Sequence, residues 1–286
     1  MFSESAQIGS DPLSQLQAEP IFIVGVARSG TTWVLDLIGA HPLVAEVMES
    51  WMFTKDRGVG ALFKQFDQGK EGLTSLVTRP ELIREVKALT STWLAAALGP
   101  THRFLVEKSP DHIDAMELIA EIYPGSKFIH VIRDGRDVAV SQAAAIRSWA
   151  PEWENVFGSV HKSAVQWSRS VRRGQAAARA IGHRVKEIRY EQLHDDPVGS
   201  LTELFEFCEI PAGDELVKEI CVKNNISEYK WAGEARFRRS GRVGDWRTRF
   251  NALDRFAFDL GGGTVLRELG YETSRTWWVH SPSSGE

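Results

Sequence analysis

A segment with two glycines, one arginine and two threonines could bind a phosphate-like anion. It reads GVARSGTTW over residues 25–33 and lies between a predicted strand and a predicted helix. Glycines let backbone N–H groups curl around an anion, and the helix that follows directs its free N–H groups to the same place. Arg28 adds a fork of charged donors, and Thr31 and Thr32 add hydroxyl groups. We therefore predict an anion-binding loop.

This loop departs from the one that binds nucleoside triphosphates. In that loop a lysine follows the second glycine and bridges two phosphates, and the next hydroxyl holds magnesium. Thr31 occupies the place of that lysine here, and the cation lies within the loop at Arg28. The pattern suits an anion that is handled without a metal.

A second candidate anion site is the segment VIRDGRDVAVS at residues 131–141. It leaves a predicted strand at the end where open α/β sheets bind ligands. Arg133 lies at the turn and could hold a phosphate, and Ser141 follows about two turns along the predicted helix. The alternative is a surface cluster in which Asp134, Arg136 and Asp137 pair with each other or cap the helix.

An arginine-rich segment is the third candidate. Residues 236–249 contain six arginines and one acid, Asp245. The segment could be a solvated loop, an arm for nucleic acid, or a lid over a bound nucleotide. Because the whole chain has a net charge of −4, it is a poor candidate for a general nucleic-acid binder.

Four motifs occur in the order found in one family. They are the loop at 25–33, the segment 131–141, Tyr-Glu-Gln-Leu at 190–193 and Gly-Arg-Val-Gly-Asp-Trp at 241–246. With them the sequence resembles the sulfotransferases that use 3′-phosphoadenosine-5′-phosphosulfate (PAPS), and the resemblance extends along most of the chain. It implies a PAPS donor, no metal, and a P-loop-like fold.

The resemblance also implies roles for individual residues. The 5′-phosphosulfate would be held by Arg28, Ser29, Gly30, Thr31 and Thr32. Trp33 would stack on the adenine, Tyr190 would reach the adenine edge, and the 3′-phosphate would be bound by Arg133, Ser141, Arg239, Ser240 and Gly241. Two positions depart from the family pattern, because Gly135 replaces a proline and Ser240 replaces a lysine. Trp33 and Tyr190 could instead be core residues.

Sulfuryl transfer needs a general base for the acceptor and cations that face the leaving phosphate. Arg28 fits the second role. Small-molecule sulfotransferases use a histidine where this chain has Pro110. Protein-tyrosine and several bacterial sulfotransferases instead have His-Pro, a few residues and then a glutamate. Here His-Pro at 41–42 precedes Glu46 and Glu49, and the spacing favours Glu49.

Lys108, in the Glu-Lys-Ser-Pro segment at 107–110, could bridge toward the sulfate and the leaving oxygen. A solvated lysine at a strand end is the alternative. His112 is the second candidate base, although a histidine near a helix start more often caps or packs. Glu46 also stays open as the base, and Glu49 could be a surface carboxylate or a helix cap.

Apolar runs at 21–24, 103–106, 127–132 and 185–189 alternate with helical patterns. This alternation predicts a three-layer α/β/α fold with a mainly parallel central sheet. We expect a flexible tail at 1–19 and one domain at 20–286. Within that domain we predict a helical acceptor-side insertion at about 51–100 and an Arg-rich nucleotide lid at about 225–250.

Composition excludes several classes of protein. The 286 residues are 43% apolar and 25% charged, with only Cys208 and Cys221. These values are typical of a globular domain without a disulfide framework. We find no apolar run of about 20 residues that could span a membrane and no signal peptide, so we expect a cytoplasmic protein.

The acceptor stays open among phenols, alcohols, lipids, sugars and peptides, with an amine as a further option. Several aromatic residues could line an acceptor pocket or belong to the core: Trp51, Phe53, Phe63, Phe66, Trp93, Trp149, Trp153 and Phe157. The pair Trp277-Trp278 could dock on the domain or on a second subunit, so a homodimer stays open. The alternative function is a P-loop kinase or another nucleoside-triphosphate enzyme.

Overall fold

The computed structural model of the chain describes residues 11–69, 72–226 and 241–279. Its centre is a parallel five-stranded sheet with the strand order β2-β3-β1-β4-β5. The strands are β1 (Ile21–Gly25), β2 (Val44–Met48), β3 (Phe104–Lys108), β4 (Lys127–Ile132) and β5 (Val185–Arg189). Ile21 in the central strand lies beside Val106 of β3 and Lys127 of β4.

Twelve α-helices are present in the described part of the chain: α1 (Thr31–Gly39), α2 (Gly58–Asp67), α3 (Arg79–Ala95), α4 (Met116–Ile122), α5 (Gly135–Ser148), α6 (Glu154–Phe157), α7 (Val160–Ile181), α8 (Tyr190–Asp195), α9 (Pro197–Cys208), α10 (Asp214–Lys223), α11 (Trp246–Arg249) and α12 (Ala252–Glu268). Short 3₁₀ helices span Leu73–Ser75, Pro110–Asp114, Pro151–Trp153 and Gly182–Arg184.

The sheet is covered on both faces. Successive side chains of a strand point to opposite faces, and the central strand is buried along its whole length. Ile21 and Ile23 belong to the core that includes residues of α1, α9 and α10. Phe22 and Val24 belong to the core that includes residues of α3 and α4. The three-layer α/β/α prediction is therefore confirmed.

The sequence patterns missed one strand and divided one helix. The edge strand β2 was not predicted, because only Val44 and Ala45 of its five residues are buried. The apolar pattern near the C-terminus predicts two short helical segments, at about 252–258 and 263–269, whereas the structure has the single helix α12 there. Glycine is unfavourable within a helix, but Gly261 lies against Ala164 and Val165 of α7, where a larger side chain would crowd them. Close helix packing therefore outweighs the low helix propensity.

The described part of the expected N-terminal tail is packed on the domain. Leu13 is buried, the Gln17 backbone N–H donates to the Arg103 carbonyl oxygen at 2.8 Å, and Glu19 contacts Lys87 and Gly125. Apolar and charged side chains therefore anchor residues 11–19 of the expected tail on the domain. Residues 1–10 lie outside the described ranges.

The C-terminal pair of tryptophans docks on the chain's own domain. Trp277 is buried, and its indole N–H donates to Asp259 Oδ1 at 2.8 Å. Its ring meets Trp246 edge-on with centroids 5.7 Å apart, and Trp278 lies against Phe256 at 4.9 Å. Of the two alternatives for this pair, the structure therefore shows docking on the domain.

No helix within the described ranges has the combination of length and apolar character needed to cross a membrane.

Candidate active site

A cavity of about 1010 Å³ opens at the carboxyl ends of the central strands. Five segments contribute most of its wall, within residues 25–33, 48–57, 110–114, 149–157 and 241–245. Open α/β sheets bind ligands at this edge. The cavity is therefore the candidate active site, and most of the residues singled out from the sequence line it.

The predicted anion loop connects β1 to α1 and has an unusual backbone. Arg28 has φ 79° and Gly30 has φ 101°, both in the left-handed region. A side chain at Gly30 would have its Cβ 2.7 Å from Tyr190 Cε2, so glycine is required there by conformation and by space. Thr31 begins α1, which directs the free N–H groups of its first turn toward the loop.

The loop cation is held at the cavity wall. Arg28 Nε donates to Ser141 Oγ of α5 at 3.1 Å, and the guanidinium lies 5.8 Å from the ring centroid of Trp149. Ser29 is buried, and its Oγ has no hydrogen-bond partner among the described residues. Arg28 and Ser141, predicted from separate motifs, are therefore brought into direct contact.

Arg133 lies next to this loop at the end of β4. Its guanidinium donates to the carbonyl oxygens of Arg28 at 3.4 Å and Arg242 at 2.9 Å. It also stacks over the ring of Tyr190 with its carbon 4.1 Å from the centroid. Its Nε lacks a hydrogen-bond partner in the described ranges. A buried guanidinium with a spare donor on a cavity wall is suited to bind an anion.

Trp167 of α7 positions the turn that carries Arg133. Its indole N–H donates to the Arg133 carbonyl oxygen at 3.0 Å. A Cβ on Gly135 would lie 2.6 Å from Trp167 Cε2 and 2.7 Å from Phe258 Cζ. The glycine at 135 is thus required by the ring packed against it, which explains the departure from the proline of the family pattern.

The two predicted adenine residues lie side by side. Trp33 and Tyr190 meet edge-on with ring centroids 5.5 Å apart. Trp33 is buried, and its indole N–H donates to the Asn224 carbonyl oxygen at 3.0 Å. The Tyr190 hydroxyl donates to the Gly241 carbonyl oxygen at 2.6 Å. Both residues belong to the core and also border the cavity, so adenine contact stays a prediction for each.

Asp137 anchors the segment that begins at Gly241. Its carboxylate accepts from the backbone N–H groups of Gly244 at 2.7 Å and Trp246 at 2.9 Å. Burial, with a smaller contribution from the nearby Asp134, raises the pKa of Asp137 to about 6, although Arg133 and these two N–H groups act in the opposite direction. Asp134 caps α5 and pairs with Arg136 at 2.7 Å, as the sequence suggested.

Next to β1, Lys108 at the end of β3 contacts Glu49. The Lys108 amino group lies 2.6 Å from Glu49 Oε1, and the lysine side chain is only 1% exposed while Glu49 is 36% exposed. A solvated lysine is thus excluded. The two residues predicted to carry the proton transfer and the sulfate contact are brought together, and Glu49 borders the cavity.

The two other candidate bases are placed less favourably. Glu46 lies against Gly39 of α1 and does not line the cavity. His112 is fully buried, with Nδ1 3.0 Å from Glu107 Oε2 and Nε2 accepting from the Phe53 N–H at 3.2 Å. Both ring nitrogens of His112 are therefore occupied, which leaves Glu49 as the best placed of the three.

The aromatic residues singled out from the sequence differ in their surroundings. Trp93 is 50% exposed, and Phe66 packs against the core from a partly buried position. Phe53 and Phe63 are core residues, whereas four half-buried aromatic residues line the cavity: Trp51, Trp149, Trp153 and Phe157. Trp153 meets both Trp149 and Phe157 edge-on, at 5.2 and 5.6 Å. These rings make one wall of the cavity apolar, as binding sites for organic molecules commonly are.

Comparisons with known proteins agree with this architecture. Residues 20–214 match the model of the sulfotransferase family. The chain is 24% identical over 201 residues to protein-tyrosine sulfotransferase 1 of Danio rerio, covering 69% of this chain and 55% of that protein. It is 23% identical over 222 residues to protein-tyrosine sulfotransferase A of Caenorhabditis elegans, covering 76% and 56%.

A solved structure, that of a mouse sulfotransferase complexed with PAP, has the same fold. Its TM-score is 0.55 at 18% identity, covering 95% of this chain and 94% of that one. The chain belongs to the sulfotransferase family, as its motifs predicted. It spans little more than half the length of the two curated relatives named above.

Sequence reasoning missed several residues that shape the site. Trp167 had no motif to mark it, and Asp137 was interpreted only as a helix cap or a pairing residue. Arg242 belongs to the motif at 241–246, but the contact of its carbonyl oxygen with Arg133 was not predicted. Only the carboxylate within VIRDGRD hinted at the anchor that Asp137 provides. The predicted residues Arg239 and Ser240 lie outside the described residues, as does most of the Arg-rich lid.

Proposed function

We propose that the protein transfers the sulfuryl group of PAPS to a hydroxyl group, or to an amine, of an organic acceptor. The observation that carries this proposal is the meeting of two sets of groups in one cavity. Arg28, Arg133 and the anion loop line one part of it, and Glu49, which pairs with the buried Lys108, lines another. The first set suits the nucleotide, and the second suits the transferred group and its acceptor.

Residues of this chain would bind the donor in two places. Arg28, Ser29, Gly30, Thr31 and Thr32 would hold the 5′-phosphosulfate, supported by the loop conformation and the start of α1. Arg133 and Ser141 would bind the 3′-phosphate, supported by the burial and the spare donor of Arg133. Trp33, Tyr190 and Gly241 lie on the same side and would complete the nucleotide site.

The reaction would be an in-line displacement at sulfur. The acceptor oxygen forms the new S–O bond, the bond from sulfur to the bridging oxygen breaks, and its electron pair stays on the leaving phosphate. The acceptor proton goes to Glu49. Arg28 would stabilise the negative charge that gathers on the phosphate.

Lys108 would contact two groups in turn, first the Glu49 carboxylate and then the phosphosulfate. In the structure its amino group contacts Glu49 at 2.6 Å. When it moves to an oxygen of the phosphosulfate, Glu49 loses its cation and becomes a better proton acceptor. This arrangement would couple donor binding to activation of the base.

The acceptor would contact the aromatic wall formed by Trp51, Trp149, Trp153 and Phe157. Half-buried rings in a cavity favour an acceptor with an apolar or aromatic body. We therefore propose a phenol or an apolar alcohol before a small polar sugar.

Thermal unfolding with 3′-phosphoadenosine-5′-phosphate (PAP), with ATP plus magnesium, and without ligand tests the donor assignment. At about 100 times its dissociation constant a ligand adds about 2.7 kcal/mol to the free energy of unfolding. We expect PAP to raise the melting temperature by several degrees, on the order expected for a domain of this size, with no change on adding a chelator. A shift only with ATP plus magnesium would refute the proposal in favour of a kinase-like enzyme.

A further inference from the structure

The loop that follows β2 holds Glu49 in an unusual backbone conformation. Glu49 has φ 54° and Trp51 has φ 57°, in the region that non-glycine residues rarely adopt. Such conformations persist only where the surroundings hold them. The residues that hold this loop therefore control where the Glu49 side chain points.

Backbone N–H groups of the loop bond mainly to the segment that begins at the end of β3. The N–H of Glu49 donates to the Lys108 carbonyl oxygen at 2.7 Å. The N–H of Trp51 donates to Ser109 Oγ at 3.2 Å. Two further backbone N–H groups, those of Ser50 and Phe53, donate to a buried carboxylate and a buried imidazole, respectively.

These groups are Glu107 and His112, and both are fully buried. Glu107 Oε1 accepts from the Ser50 N–H at 3.1 Å, the Ser50 hydroxyl at 2.7 Å and the Ser109 hydroxyl at 2.6 Å. His112 Nε2 accepts from the Phe53 N–H at 3.2 Å, so its proton lies on Nδ1 and is donated to Glu107 Oε2 at 3.0 Å. Four donors thus converge on one carboxylate.

Glu107 is suited to this task only as a carboxylate. Burial would raise its pKa, but the hydrogen bonds from His112, Ser109 and Ser50 outweigh that effect and hold the pKa below its ordinary value. An amide offers one acceptor oxygen instead of two. Glutamine at 107 would turn N–H groups either toward the serine donors or toward the Nδ1–H of His112.

We propose that Glu107 and His112 are positioning residues for sulfuryl transfer, which hold residues 49–53 so that Glu49 faces Lys108 and the cavity. Adjacent residues of a strand point to opposite faces, so Lys108 contacts the Glu49 carboxylate while Glu107 fixes the backbone behind it. The inference rests on the proposed role of Glu49 as the base.

Hydrogen exchange tests the positioning without any acceptor. We expect Glu107→Gln to accelerate amide exchange about 10- to 100-fold in residues 49–53, because local opening becomes easier there. Exchange in the strands at 21–25 and 127–132 should not change. Glu187→Gln is the matched control, since Glu187 also pairs with a buried histidine, His130, at 3.1 Å on the same sheet. Unchanged exchange at 49–53 would overturn the proposal.

Turnover provides the second readout, with PAPS as donor and 2-naphthol as probe acceptor. We expect Glu107→Gln to lower kcat about 10- to 100-fold, as misplacement of a reacting group does, while KM for PAPS changes less than about twofold. The double variant with Glu49→Gln should be no slower than Glu49→Gln alone, because both changes act through one carboxylate. Additive losses would mean that Glu107 does not act through Glu49.

The two proposals fail in different ways. Full turnover in Glu49→Gln would refute the base assignment and leave the exchange result on residues 49–53 standing. A collapse in Glu49→Gln with full turnover in Glu107→Gln would refute the positioning role alone. If Glu107→Gln does not fold, Ser109→Ala serves as the test instead. It removes one donor to Glu107 and the acceptor of the Trp51 N–H. We then expect the same increase in exchange at residues 49–53 and the same decrease in kcat, both smaller than for Glu107→Gln.

Discussion

The ionisation of Asp137 should make the stability of the fold depend on pH. Its carboxylate is 2% exposed, and burial raises its pKa from the ordinary 3.8 to about 6. A carboxyl group whose pKa is raised in the folded state stabilises the fold fully only below its pKa in the unfolded chain, 3.8. This stabilisation is lost as pH rises from 3.8 through about 6. The difference corresponds to about 3 kcal/mol at 1.36 kcal/mol per pKa unit.

The substitution Asp137→Asn removes this titration. Asparagine keeps one acceptor oxygen for the N–H groups of Gly244 and Trp246, so the variant loses about 1 kcal/mol through the weakened pair of hydrogen bonds. At pH 4 we expect it to be less stable than the parent protein. Near pH 7.5 the parent has lost the stabilisation of the protonated acid. The difference in free energy of unfolding between the variant and the parent should therefore shrink or reverse.

Urea unfolding at pH 4, 5, 6 and 7 measures this effect. The difference in free energy of unfolding between Asp137→Asn and the parent should change by about 2.4 kcal/mol over this range, mostly between pH 4 and 6. Glu187→Gln, a change at a partly exposed carboxylate elsewhere on the sheet, serves as the control. A difference that stays constant with pH would refute the assignment of a raised pKa to Asp137.

Three other substitutions test the site and its frame. Glu49→Gln should leave the Kd for PAP unchanged and lower kcat with PAPS and 2-naphthol by about 10²- to 10⁴-fold; full activity would disprove the base assignment. Arg133→Ala should weaken PAP binding, measured by calorimetry, by at least about 1.5 kcal/mol, because one charged hydrogen bond is lost. An unchanged Kd would contradict the proposed role of Arg133 in binding the 3′-phosphate. Gly135→Ala should lower the free energy of unfolding by about 1–3 kcal/mol, because the added Cβ would crowd Trp167. Gly99→Ala, where the nearest atom lies 3.4 Å from the added Cβ, is its control and should change little.

Local sequence determined the central strands and the anion loop. β1 is apolar throughout, and β4 is apolar except for Lys127 and His130, so their runs stand out without knowledge of the fold. The glycines and Arg28 of the loop follow a strand directly, and their chemistry depends on neighbours in the chain. The family could therefore be predicted from the sequence, and so could the position of the anion loop between β1 and α1. The choice of Glu49 as the leading base candidate stays a prediction.

Other features depend on contacts between distant residues, which no local pattern records. The edge strand β2 has too few buried residues to show an apolar pattern, and its pairing with β3 defines it. The glycine at 135 has a reason only once Trp167 lies against it. Trp167, 32 positions further along the chain, thus determines that position 135 is a glycine.

The same limit applies to the groups around Glu49. The sequence predicted a lysine and a glutamate as separate candidates. The 2.6 Å contact between Lys108 and Glu49, and the two hydrogen bonds from Ser50 to Glu107 behind them, exist only because β2 and β3 lie side by side. Sequence alone determined which chemical groups are available, and the tertiary structure decided which of them meet, because burial and pairing depend on the whole packed chain.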